Sequence, residues 1–329
     1  MPDFKIKERS LPDLLFATLC IFTVLAVAGQ QAAQAQSPLA PPAPGLIYDV
    51  ASNRYIKIGE LHRAVTNVRY VLLGETHDNP LHHHRQAELV DALSQDGLKR
   101  TIVWEMFNRD QQADLDAAWV ARDPENLGPA LDWENSGWPS WYDYQPIASA
   151  AAKHNLEISA GNLPRNVLQP MATEGLDALP DDLRDLLNVP DMPGPIADQF
   201  KVEIVSSHCG MLPPEKAAPF GLIQYVRDAS LARAMFDAAS VPGQDGAFLI
   251  AGSMHVRSGV AVPFHLERYD PEGSRAVIAM METGNDGTEL RPDDYLARLG
   301  GRNAVDFIWF TSAIKRDDPC DAFKTKPAE

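Results

Sequence analysis

The chain of 329 residues is 45% hydrophobic and 22% charged, the balance of a folded protein with room for one large domain or a domain carrying a sizeable insertion. Its net charge of −16 argues against a nucleic-acid partner, because phosphate binding needs clustered Lys and Arg, and equally against electrostatic adhesion to an anionic membrane.

The N-terminus reads as an export signal. Lys5, Lys7 and Arg9 precede the apolar run Leu14–Gly29, and "AQA" at Ala33–Ala35 offers small residues for cleavage before Gln36. The apolar run, about 16 residues, is shorter than the roughly 20 that a membrane-spanning helix needs. Residues 1–35 are therefore expected to be a signal peptide. The three basic and three acidic residues within it cancel, so the remainder keeps the charge of −16. A Pro-rich linker follows at 36–45, with "SPLAPPAPG" at its centre. Beyond it stand two cysteines, Cys209 and Cys320, which an oxidising compartment would allow to pair, although their spacing does not fix the pairing. There is no C-x-x-C-H, so covalent c-type haem attachment is excluded.

Four short apolar runs then end in polar residues: "RYVLLGE" at Glu75, "TIVWEMF" around Glu105, "LEISAGNLP" through Asn162, and "GAFLIAGSMH" at His255. "RAVIAMME" (Arg275–Glu282) and "VDFIWFTSA" (Val305–Ala313) are of the same kind. Runs of this length that do not alternate predict strands buried on both faces, as in a parallel sheet. Between the first two, Asp78 or Asn79 can cap a helix that Pro80 opens, and Asp110–Arg122, Pro146–His154 and Gln224–Ala239 also have helical spacing. The fold class expected is α/β, a mainly parallel sheet flanked by helices, with residues 46–165 and 241–318 forming the α/β domain. Residues 166–240 break the alternation with Pro-separated helical segments and read as a helical insertion or lid, a smaller second domain; 319–329 form a tail.

In open α/β sheets, ligands bind beyond the carboxyl ends of the strands. That edge collects Glu75 and His77, Glu105, Asn162, and Ser253 with His255, which predicts a shared pocket; the alternative is that these groups only cap helices and pair with the backbone. Glu75, His77, Glu105 and His255 have the chemistry to hold a divalent metal or to activate a water, and are the catalytic candidates if the protein is a metal-dependent hydrolase of peptide or ester bonds. On the helix after Pro80, a turn of about 100° per residue puts His82 on the buried stripe, His83 at its margin and His84 in solvent. "LDWENSGWPSWYDYQPI" (Leu131–Ile147) holds three of the six tryptophans and two of the eight tyrosines. It is either a staple fastening a loop to the sheet or a wall for a flat apolar ligand, with Tyr142 or Tyr144 as phenolate ligand to ferric iron. In the lid, Ile196, Phe200, Ile204 and His208 share a helix face, so His208 is a further candidate.

The segments "VLLGETHDNPLHHHRQAEL", "VWEMF", "GWPSWYDYQPI", "AGNLPR", "SSHCGMLP", "QYVRDASLARAM" and "AGSMHVRSGVAVP", in that order from about residue 70 to 263, resemble the ChaN-type haem-binding uptake family, in the superfamily with Tiki, TraB and erythromycin-esterase-like proteins. The resemblance implies an α/β domain with a smaller helical one, haem or iron acquisition at the cell envelope, and haem bound between two subunits of a homodimer through tyrosine. It also implies an outer-membrane haem or iron receptor as partner. Tyr144 and Tyr142 are then the first haem-binding candidates, Tyr225 the next, with His82, His83 and His208 beside them. Hydrolytic members of the superfamily use GE-x-H and G-x-x-H segments, which fall here on Gly74–His77 and Gly252–His255. The chain lacks the lipoprotein form's Cys at the cleavage site, so an exported, soluble periplasmic protein is expected.

Overall fold

Six parallel strands build the centre of an eight-stranded sheet in the order β2-β1-β8-β7-β3-β6-β4-β5. In the computed structural model, which describes residues 39–95, 97–284, 289–317 and 320–321, these are β3 (Tyr70–Glu75), β4 (Arg100–Asn108), β5 (Ile158–Asn162), β6 (Gly246–Gly252), β7 (Arg275–Glu282) and β8 (Phe307–Thr311). Each falls on a run read as a strand, and β3 and β6 are buried at every residue, which is why their sequences do not alternate. The short strands β1 (Ile47–Asp49) and β2 (Arg54–Ile56) extend the β8 edge antiparallel to their neighbours.

Parallel pairing aligns the strand ends: Glu75 lies beside Gly252, and Trp104 beside Ile250, so β3, β6 and β4 deliver their carboxyl-terminal residues to one edge. Helices cross over between the strands. The helix Pro80–Ser94 starts at Asn79, whose side chain accepts the Leu81 N–H at 3.0 Å. The helix Trp141–Lys153 begins five residues earlier than periodicity alone suggests, capped by Ser140, and so lifts Tyr142 and Tyr144 out of the expected loop. Between β5 and β6 the chain is helical among the described residues. It includes the lid helix Gly194–Ser207 and the long helix Ala218–Ala239, which packs on β4, β5 and β6.

The core under the carboxyl edge is aromatic. Trp104, Phe107, Trp133, Trp141 and Tyr144 are all buried and form successive ring contacts 4.8–6.1 Å between centroids. Cys209, just past the lid helix, is joined by a disulfide to Cys320 in the tail. Among the described residues no helix is long and apolar enough to cross a membrane. The expected signal peptide, residues 1–35, lies outside the described residues.

Candidate functional site

Two buried carboxylates organise the carboxyl edge. Glu75, last residue of β3, accepts on Oε1 from His77 Nδ1 at 2.8 Å and from the Tyr144 hydroxyl at 2.9 Å. Its Oε2 lies 2.6 Å from His83 Nε2 but off the line of a directed hydrogen bond, so this contact is an ion-pair approach and both atoms stay without a hydrogen-bond partner among the described residues. Burial alone would raise the Glu75 pKa, but the charge of His83 beside it and the hydrogen bond from His77 prevail and bring it down to about 2. Glu105, on β4, holds Arg227 Nη2 at 2.6 Å and His255 Nε2 at 3.2 Å on Oε1, and accepts the Gly252 N–H at 2.8 Å on Oε2. Burial opposes its ionisation too, yet His255 and Arg227 hold it well below the usual carboxylate range.

His255 bridges Glu105 to Asp228, to which its Nδ1 donates at 2.6 Å. Burial would lower its pKa, but the facing charges of Glu105 and Asp228 raise it to about 9, so the imidazole is protonated at neutral pH. Arg227 further donates to Asn162 Oδ1, and Asn162 Nδ2 to the Glu105 backbone, tying β5 into the network. His77 exposes a third of its side chain, 33%, and its ring packs against Trp138. Its pKa is raised: burial works against the charge, but the Glu75 hydrogen bond and the charge of Glu105 outweigh it. Gly252 makes room for this ring, because a Cβ there would come within 2.8 Å of His77 Nε2.

The strand-end residues Glu75, His77, Glu105, Asn162 and His255 come together as one buried polar network. Ser253 stays outside the charge network and bonds the Glu75 backbone carbonyl through both N–H and hydroxyl. His83, read as marginal, is fully buried and stacks on Tyr144 at 3.9 Å. His82 is also buried but has both ring nitrogens in use: Nδ1 accepts from Thr76 N–H and Nε2 donates to Thr311. Burial lowers its pKa to about 4, so it serves as a neutral strut. His208 ends the lid helix, bonded to the Ile204 carbonyl and packed on Phe220. Arg227 and Asp228 were missed, because they lie inside a helix and reach the site by its packing, which no sequence spacing records; Asp228 is buried there.

The expected metal cage of Glu75, His77, Glu105 and His255 finds no support. Among the described residues no three His, Cys, Asp or Glu side chains are grouped to hold a metal ion. The reason is that the charges close on one another, Glu75 on His77 and His83, Glu105 on Arg227 and His255.

The tyrosines differ sharply. Tyr144 is fully buried, and burial together with the charge of Glu75 pushes its phenol far above the ordinary range, so it is held neutral as a donor. Tyr142, two residues earlier on the same helix, is 81% exposed beside a groove of about 480 Å³ walled by Trp133 and Trp141. Tyr225 is buried among Phe264 and His265.

The family model described as "Haem-binding uptake, Tiki superfamily, ChaN" matches residues 61–266. The chain belongs to this family. Its fold is shared with a ChaN of Campylobacter jejuni, whose structure is described as showing cofacial haem binding, at a TM-score of 0.58 and 19% identity over 80% of this chain and 95% of that one. An erythromycin esterase, EreC, is similar at a TM-score of 0.43 and 15% identity, covering 84% of this chain and 99% of that one. By sequence the chain is 26% identical over 267 residues to Protein RETICULATA-RELATED 5, chloroplastic, of Arabidopsis thaliana, covering 75% of this chain and 34% of that protein. The chain therefore spans about a third of the length of this plant relative.

Proposed function

We propose that this ChaN-family protein binds haem at the exposed face of the helix Trp141–Lys153, with the Tyr142 phenolate as iron ligand and a second copy of the chain closing over the haem. The observation that carries the reading is the contrast between the two tyrosines. Tyr142 stands free beside an aromatic-walled groove, whereas ionising Tyr144 would put a second negative charge 2.9 Å from Glu75. The edges of the buried Trp133 and Trp141 floor the groove, and Glu125 and Glu134 at the groove require the propionates to turn towards solvent. A ligand on an outward-facing helix also suits haem shared between two copies, and the Campylobacter relative is described as showing cofacial haem binding. The export signal expected from the sequence and a disulfide, a bond that persists in oxidising compartments, support a periplasmic haem uptake or sequestration role.

Titrating hemin into the protein tests this. A tyrosinate-type Soret band is expected, lost in Tyr142→Phe and kept in Tyr144→Phe; loss in the second variant alone would assign the ligand to Tyr144 and sink the proposal. A hydrolytic reading rests on His77, a partly exposed imidazole oriented by a buried carboxylate, which is the arrangement of a general acid or base. Its raised pKa favours the protonated, acid form. Turnover of an activated ester that His77→Ala leaves unchanged would remove that reading.

A further inference from the structure

A second cavity, about 160 Å³, lies under the lid helix on the other side of the charge network. Phe200, Glu203, Ile204 and Ser207 face it from the lid at the spacing of one helix face, and Met254, His255 and Asp228 complete it. Its polar groups are satisfied, with one exception. Glu203 is held by both terminal nitrogens of Arg257, the Ser207 hydroxyl donates to the Ile204 carbonyl, and Gln224 accepts from Arg227. Asp228 uses Oδ1 for His255, and its Oδ2, with the residue only 1% exposed, has no hydrogen-bond partner among the described residues.

A buried carboxylate oxygen left unbonded is costly, and such atoms in folded proteins call for an explanation. A mainly apolar pocket with one convergent polar group is the general form of a small-molecule site. We propose that this cavity binds a small uncharged molecule with one hydroxyl on a compact apolar body, the hydroxyl donating to Asp228 Oδ2 and the body resting among Phe200, Ile204 and Met254. The ligand is uncharged because the charges around it already balance: Asp228 and Glu105 face His255 and Arg227, and Glu203 faces Arg257. It is compact because an engineered cavity of about 150 Å³ holds one benzene ring. The exposed thioether of Met254, 41% accessible, is the flexible wall through which it enters. The site needs neither haem nor Tyr142, so this reading and the haem reading can fail independently.

Phenol is the probe, with benzene as the analogue lacking the hydroxyl. In protein carrying 13C-methyl methionine, phenol is expected to shift the Met254 resonance saturably, and benzene to bind roughly tenfold or more weakly, the loss of one hydrogen bond to a charged group. Ile204→Trp fills the cavity from the lid while leaving every charged residue in place and is expected to abolish the phenol shift while melting at the parent temperature. Asp228→Asn, which turns an acceptor into a donor, is expected to make phenol no better than benzene. Equal affinity for phenol and benzene in the parent protein, no saturable shift, or a shift that survives Ile204→Trp would each overturn the proposal.

Discussion

At Glu105 one buried carboxylate faces two cations, and removing its charge leaves Arg227 without its carboxylate and His255 with Asp228 alone. Glu105→Gln is therefore expected to destabilise the fold by about 3–5 kcal/mol, the usual result of breaking a buried pair from one side. Calorimetry should show a fall in melting temperature of roughly 10 °C, at about 2–4 °C per kcal/mol for a domain of this size. The same groups set the pH response. His255, raised to about 9, favours the protonated folded state, so its contribution is complete below an unfolded value near 6.5 and lost as pH rises through 9. His82, lowered to about 4, acts in reverse: its contribution is present above 6.5 and lost as pH falls towards 4. Melting temperature against pH should thus decline on both flanks of neutrality. His255→Gln is expected to flatten the alkaline flank alone, and a parallel decline in that variant would contradict the assignment. Glu75, His77, Glu105 and His255 were legible in the sequence because strand-end polar residues in a parallel sheet have one place to go. Asp228 was not, since a helix brings its residues to the site by packing and no short-range spacing records that.

At the level of elements, the six parallel strands were readable because burial on both faces leaves no polar alternation, as in β3 and β6. The three-residue strands β1 and β2 carry too few residues for a pattern. The early start of the helix Trp141–Lys153 escaped notice because Pro139 and Gly137 read as loop, while the Ser140 cap and aromatic packing decide the start. Packing of elements at the β6 end also yields a test. Gly252 is required by the close approach of His77, so Gly252→Ala is expected to push the ring off β6 and weaken its pairing with Glu75 and Glu105. NMR titration should then find the His77 pKa lowered from its raised value towards an ordinary histidine's, with the fold retained; an unchanged His77 titration would show that the ring does not depend on that glycine.

For the whole molecule, the disulfide Cys209–Cys320 spans 111 residues and joins the end of the lid helix to the C-terminal tail. The tail is fastened a second time on its way: Arg316 forks onto both carboxylate oxygens of Asp78, next to His77, and onto Glu282 at the end of β7. Arg316 is partly exposed, so its ion pairs are screened and contribute modestly, whereas a cross-link over a long loop restricts the unfolded chain strongly. Reduction by a dithiol is accordingly expected to cost roughly 2–5 kcal/mol, read as a lower melting temperature, while Arg316→Ala costs about 1 kcal/mol or less. The two fastenings hold the same segment, so their effects should couple: Arg316→Ala should increase proteolysis of the tail far more in the reduced protein than in the oxidised one. Tail cleavage at the same rate in both redox states would mean that the disulfide does not hold this segment, and that Arg316 alone keeps it against the sheet edge.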